Sequence, residues 1–178
     1  MLTELELGFS STYCNGWPNL NIHLNGLLYK QHQFSSSFEK ILVSYQFDQG
    51  PHLLTLELHS KTNNNTKLVN GTIVEDQLLT LDYIKVDNVK LPDYFLCMGK
   101  YTYKNSDPKQ GLTWGINGQW LWQFTAPIID WIINIKNIRD AGGLISTENN
   151  THMFSDIKHK EILEQLNTLN QRINDINI

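Results

Sequence analysis

Two runs of alternating residues bracket the middle of the chain, and each commits its segment to extended backbone. Within the first, Leu54, Leu56 and Leu58 fall on one face and Leu53, Thr55 and Glu57 on the other, the period of two that a half-buried strand requires. The alternation returns where Leu79, Leu81 and Tyr83 oppose Thr80, Asp82 and Ile84, and apolar residues on both sides suit a strand covered on both faces. Between the runs lies a loop rich in oxygen-bearing side chains, Asn63, Asn64, Asn65, Asn70, Glu75 and Asp76, with Gly71 as its turn residue. Hard cations such as calcium take oxygens of this kind in flexible geometry. The same composition serves a solvated polar loop, because Asn is also a common turn residue.

The remaining chain follows the same β grammar. Leu2–Phe9 reads as a first strand, ahead of the turn-rich SSTYCNGWP. Asn19–Leu24 alternates cleanly, with Leu20, Ile22 and Leu24 on one face, and Asn25-Gly26 turns it back through Leu27, Leu28 and Tyr29 as a tight hairpin. A second hairpin is expected from Lys40–Phe47 across Asp48, Gly50 and Pro51 into the Leu53 strand. Tyr94, Phe95 and Leu96, and later Tyr101 and Tyr103, read as strand with an aromatic face. His23, His52 and His59 read as exposed or hydrogen-bonded strand residues rather than as ligands.

In GLTWGINGQWLWQFTAP, Asn117-Gly118 marks another hairpin, and Trp114, Trp120, Trp122 and Phe124 all fall on even positions. Such a row of rings can hold a sugar ring, which makes Trp120 and Trp122 carbohydrate candidates, but it also matches the aromatic core of a sandwich, the favoured reading. Thr125–Gly143 then reads as a packed helix, with Ile128, Trp131, Ile132, Ile135 and Ile138 at helical spacing, and its many β-branched residues keep a strand as the competing reading. Residues 144–154 read as a linker. From residue 155 to Ile178 the apolar positions Ile162, Leu166, Leu169, Ile173 and Ile176 step by four, three, four and three, a heptad seam suited to a partner helix. The expected architecture is a mostly β, antiparallel, jelly-roll-like sandwich over residues 1–143, one packed helix, and a C-terminal heptad helix for assembly.

The order of an alternating strand, an Asn-rich loop and then EDQLLTLDYIKVDNVKL resembles the calcium-dependent xylan-binding type of carbohydrate-binding module. GWPNLNIHLNGLLY resembles that family's first long strand, so the likeness spans about Gly16 to Leu91. It implies a β-sandwich with calcium held in the loop, where Asn63, Asn64 and Asp76 would be the ligands and Asn63 and Asp76 would also face the sugar. The chain departs from the family where Lys61-Thr62-Asn63-Asn64 replaces an expected Asn-Asp, removing a carboxylate, and where Gln77 replaces an Arg. The Trp-rich segment also resembles uncharacterised structural proteins of large tailed phages.

Charge narrows the function. The 14 basic residues against 18 acidic ones give a net charge of −4, and the basic residues form no stripe, which excludes binding driven by nucleic-acid phosphates. The longest apolar run, Ile128 to Ile138, is interrupted by Asp130 and Lys136 and is too short to span a bilayer. MLTELELGFSS has no apolar core of signal-peptide length, so the chain is expected to begin at Met1 without a secretion leader. Cys14 and Cys97 are isolated and signal neither zinc nor redox chemistry. Nineteen Asn and 17 Ile against two Ala fit AT-rich coding, as in an AT-rich bacterium or its phage. No catalytic fingerprint is present, and the adjacent Glu75 and Asp76 would point to opposite faces of a strand. The resulting expectation is a non-catalytic structural or adhesion component, a phage virion protein with a carbohydrate-binding-module-like sandwich, joined to virion proteins or to itself through the C-terminal helix. Its alternative is a calcium-dependent carbohydrate-binding module with polysaccharide as partner, located in the cytoplasm rather than a virion.

Overall fold

A computed structural model of the protein describes residues 2–104 and 106–140. In chain order the strands are β1 (Leu2–Ser11), β2 (Asn19–Leu24), β3 (Leu27–Gln33), β4 (Phe38–Gln46), β5 (Gly50–His59), β6 (Thr66–Val69), β7 (Thr72–Asp76), β8 (Leu79–Val86), β9 (Val89–Lys90), β10 (Lys100–Thr102), β11 (Thr113–Trp114) and β12 (Gly118–Ala126). A short helix α1 (Asp93–Leu96) precedes β10, and α2 (Ile128–Asp140) follows β12. One sheet runs β11-β8-β1-β4, with β9 beside β8, and the other runs β10-β12-β5-β2-β3. All of these pairings are antiparallel. The hairpin β6–β7 belongs to neither sheet. The antiparallel sandwich expected from the alternation is therefore what forms.

Each inner face carries the residues that the period of two selects except in β8, where Ile84 rather than Tyr83 is buried with Leu79 and Leu81, because a β-bulge leaves Asp82 without a register partner opposite Gly8–Phe9 and shifts the alternation by one residue. Leu5, Leu7, Phe9, Ile41, Val43, Leu79, Leu81, Ile84 and Val86 come from one sheet, and Leu20, Ile22, Leu24, Leu54, Leu56, Leu58, Trp120, Trp122 and Phe124 from the other, all of them buried. Asn25 and Gly26 adopt φ of 52° and 81°, the left-handed pair that a two-residue hairpin needs and that a Cβ at the second position would oppose. The β2–β3 register that this turn sets pairs Leu24 with Leu27.

Trp120, Trp122 and Phe124 share one face of β12, as their even spacing requires, but Trp114 lies on β11 in the other sheet and meets Trp120 across the core at 6.1 Å, which corrects the expectation of a single four-ring face. Trp120 and Trp122 stack at 6.4 Å and 13°, Trp122 lies 5.1 Å from Phe124, and Trp114 stacks on Tyr101 at 5.3 Å. Trp120 and Trp122 are both 0% exposed, so neither presents a ring to a sugar. The apolar area of the indoles goes into the core, and this corrects their assignment as a carbohydrate platform.

Three local expectations are also corrected. Lys40–Phe47 and the Leu53 strand form no hairpin: β4 pairs with β1, whereas β5 pairs with β12 and β2, because the connection crosses from one sheet to the other. Likewise β11 pairs with β8 and β12 with β10 and β5, so Asn117-Gly118 links the two sheets. The Asn117 amide is engaged across the loop, accepting from the Lys61 N–H at 2.9 Å and donating to the Lys61 carbonyl at 2.8 Å. Tyr94–Leu96 is helical rather than extended, its turn opened by Pro92 and Asp93 and closed by the Cys97 N–H donating to the Asp93 carbonyl.

The chain divides into two compact units, Met1–Ile132 and Ile133–Ile178. In the first, α2 begins against the sandwich, with Trp131 5.3 Å from Phe95 and 5.6 Å from Trp122. Of the second unit, residues 133–140 are described, as the C-terminal part of α2. The expected linker at 144–154 and the heptad positions Ile162, Leu166, Leu169, Ile173 and Ile176 lie outside the described residues. No helix among the described residues is long and apolar enough to cross a membrane.

Candidate functional site

Three stretches of irregular backbone converge at one end of the sandwich. The link from β1 to β2 turns at Asn15 and Gly16, with φ of 50° and 142°. The link from β5 to β6 turns at Ser60, with φ of 65°, and then winds through a single 3₁₀ turn, Asn63–Asn65. The third stretch is the return from β7 through Gln77. Alternating sequence ends at all three places, and at the first Asn15 and Gly16 are residue types that tolerate the left-handed conformation.

Two buried amides tie these loops together. Asn65 donates through Nδ2 to the carbonyls of Cys14 (3.0 Å) and Asn15 (3.3 Å), and its Oδ1 accepts from the Thr62 N–H (2.9 Å) and hydroxyl (3.0 Å). Gln77 donates through Nε2 to the Gly16 carbonyl (3.0 Å), and its N–H donates to the Asn65 carbonyl (2.9 Å). Asn15 closes the bridge by donating to the Asn64 carbonyl at 2.6 Å. A side-chain amide has two N–H donors and two acceptor lone pairs, so Asn65 is saturated and serves as structure.

The loops enclose an open cleft of about 720 Å³, lined by Asn15, Trp17, Asn19, Gln33, Ser60 and the Thr62–Lys67 turn. Trp17 is half-buried, with its ring held edge-on by Tyr13 at 5.4 Å. Asn63 and Asn64 are exposed at the rim. Lys67 is the charged lining residue, and its ammonium is bound to the Glu75 carboxylate at 2.7 Å, a hydrogen bond that pushes the lysine above its ordinary value. The surface offered is therefore neutral amide and hydroxyl around one indole.

Asp76 lies elsewhere. Its Oδ1 accepts from Lys61 Nζ at 2.6 Å and from the Thr66 hydroxyl, and it is not part of the cleft wall. Lys61 Nζ also donates to the carbonyls of Gln77 (2.9 Å) and Gly115 (2.6 Å). The trio expected to hold calcium is thus separated: Asn63 and Asn64 line the cleft, whereas Asp76 faces an ammonium. A calcium ion would need the oxygens that Lys61 already engages and would meet a positive charge there, so these residues do not fit the metal. Among the described residues no group of three or more His, Cys, Asp or Glu side chains is placed to hold a metal ion. The histidines weighed as ligands are hydrogen-bonded instead, His23 to Glu57 at 3.2 Å, His52 to the Asp48 carbonyl at 2.7 Å and His59 to Ser60 at 2.7 Å.

Sequence reasoning found Asn63 and missed Trp17, Asn15, Gln33 and Ser60. The available signal was the aromatic placed directly before Pro18 in a turn-rich loop, where no strand periodicity gives an indole a reason to be buried.

Neither a family model nor a curated protein matches the chain. Among solved structures, vCBM60 in complex with galactobiose is similar in fold, at 10% identity and a TM-score of 0.44, over 67% of this chain and 96% of that one. The selenomethionine form of vCBM60, from work on circular permutation as a link between two families of calcium-dependent carbohydrate-binding modules, is similar at 9% identity and a TM-score of 0.47, over 67% and 89%. Both likenesses are of fold.

Proposed function

We propose that the chain is a non-catalytic carbohydrate-binding module that holds a neutral glycan in the cleft beside Trp17. The observation that carries this reading is the lining itself: amides and hydroxyls, which both donate and accept, set around one partly exposed indole. Sugar hydroxyls also donate and accept, so Asn15, Asn19, Gln33, Ser60, Asn63 and Asn64 supply the matching chemistry. The flat apolar face of Trp17 suits the C–H face of a pyranose ring, and the indole brings large contact area on a side chain with little freedom to lose. With its one charged lining residue paired to Glu75, the cleft offers no net charge to attract an anionic ligand.

Calorimetric titration with neutral oligosaccharides, xylo-oligosaccharides and galactobiose among them, tests the reading after a glycan array has chosen the ligand. Trp17→Ala is expected to weaken binding at least about tenfold, 1.4 kcal/mol, and Asn63→Ala to weaken it less. Absence of any glycan binding, or binding that is indifferent to both substitutions, refutes the proposal.

A further inference from the structure

We infer that Lys61 is a built-in cation: its ammonium fills an oxygen cage that would otherwise call for a metal ion, and the sandwich closes this end without calcium. The inference does not rest on glycan binding. It rests on a juxtaposition of three chain segments around one nitrogen. An ammonium has three N–H donors, and each finds an oxygen, from the Asp76 carboxylate at 2.6 Å, the Gln77 carbonyl at 2.9 Å and the Gly115 carbonyl at 2.6 Å.

The Lys61 side chain is 7% exposed and Asp76 17%. A lysine with one ion pair at a surface is held loosely, because the pair gains little against solvent and side-chain freedom. Here the stem is buried, and the backbone of the same residue is gripped in both directions by the Asn117 amide. The cage is close-fitting as well. A Cβ built on Gly115 would lie 2.8 Å from Leu78 Cδ2, 3.2 Å from Asp76 Oδ2 and 3.7 Å from Lys61 Nζ. The ammonium therefore joins the β5–β6 link, the end of β7 and the β11–β12 link, a job often done in polar loops by a divalent ion with carboxylate and carbonyl ligands.

The same geometry says what removal would leave. Without the lysine, one carboxylate and two carbonyls still converge on a point 2.6 to 2.9 Å from each, slightly wide of the 2.3–2.6 Å of calcium–oxygen contacts. A small cation, calcium or methylammonium, is the chemical class that would enter.

Thermal unfolding of the full chain is followed in EDTA and in millimolar calcium chloride. The unsubstituted protein is expected to melt at the same temperature in both. Lys61→Ala is expected to melt lower, by roughly 10 °C, and to regain part of the loss saturably with calcium or methylammonium, since either would bind the folded state alone. A calcium-dependent rise in the unsubstituted protein overturns the inference, and so does a folded Lys61→Ala that melts like its parent or ignores every cation. If Lys61→Ala does not fold, the double variant Lys61→Ala/Asp76→Asn, which removes the uncompensated carboxylate, is expected to restore folding. Failure of that variant as well would place the requirement in the lysine stem rather than its charge, and also overturns the inference.

Discussion

Truncating Trp122 separates the two jobs an indole can do in this fold. Trp122 is 0% exposed, stacked on Trp120 at 6.4 Å, against Phe124 at 5.1 Å and edge-on to Trp131 at 5.6 Å. Its Nε1–H donates to the Phe95 carbonyl at 2.9 Å inside the core. A buried Trp→Ala change costs about 3 to 5 kcal/mol in transfer and cavity terms. The Phe95 carbonyl keeps the Met98 N–H at 3.3 Å but loses the indole donor, a hydrogen bond worth about 1 kcal/mol net, so roughly 5 kcal/mol is at stake. Domains of this kind are stable by about 5 to 15 kcal/mol, and Trp122→Ala should therefore sit near the edge of folding. With a urea slope of about 2 kcal/mol per molar, the unfolding midpoint should fall by about 2.5 M. The assay is urea unfolding followed by circular dichroism, with Trp17→Ala measured beside it. Trp17 lies half-exposed in a cleft and is expected to lose ligand binding with a much smaller change in midpoint. A Trp122→Ala protein that loses less than about 1 kcal/mol and loses glycan binding would refute the burial argument and restore Trp122 as a sugar platform.

Two further outcomes follow from the polar contacts. The Glu57 carboxyl is held below its ordinary value of 4.5 chiefly by the Asn21 amide, with His23 and Gln119 also donating. Burial raises Glu39, but the Ser35 and Ser36 amides and His32 outweigh it and leave that carboxyl lowered too. Both groups therefore add stability above the unfolded glutamate value and lose it as pH falls through their lower folded values, so urea midpoints should drop in acid and the drop should shrink in Glu57→Gln and Glu39→Gln. Asn65→Ala strips the Cys14 carbonyl and the Thr62 N–H of their partners and should cost about 1 to 3 kcal/mol per orphaned group. It should also speed hydrogen exchange at Thr62 and weaken ligand binding, whereas unchanged exchange would deny the amide its bridging role.

The strands were legible because alternation is a local property. Asn19–Leu24 is bounded in the structure as the pattern bounds it, and the even-numbered rings Trp120, Trp122 and Phe124 point one way because a single strand leaves them no choice. Pairing was less legible. The same alternation serves a hairpin or a crossing between sheets, so β4 and β5 read as partners although they lie in different sheets. Asn117-Gly118 misled for a chemical reason: the Asn117 amide binds the Lys61 backbone, a partner 56 residues away that no short-range rule can see. Tyr94–Leu96 misled because three apolar residues in succession fit a covered strand as well as a four-residue helix.

The site was least legible because its parts are sorted by saturation rather than by residue type. Asn63, Asn64 and Asn65 are consecutive and chemically identical, yet only Asn65 is buried and spends all four hydrogen-bonding positions on Cys14, Asn15 and Thr62. Lys61 and Lys67 are likewise one residue type in two roles, one ammonium enclosed by three oxygens and the other half-exposed beside Glu75. Saturated groups fix the loops, so the exposed amides at the cleft rim are held in place before a ligand arrives. Their hydrogen bonds to a sugar then cost less ordering than those of a free loop. If the four bonds of Asn65 set the cleft, removing them should weaken binding even though Asn65 has no free valence to offer a ligand.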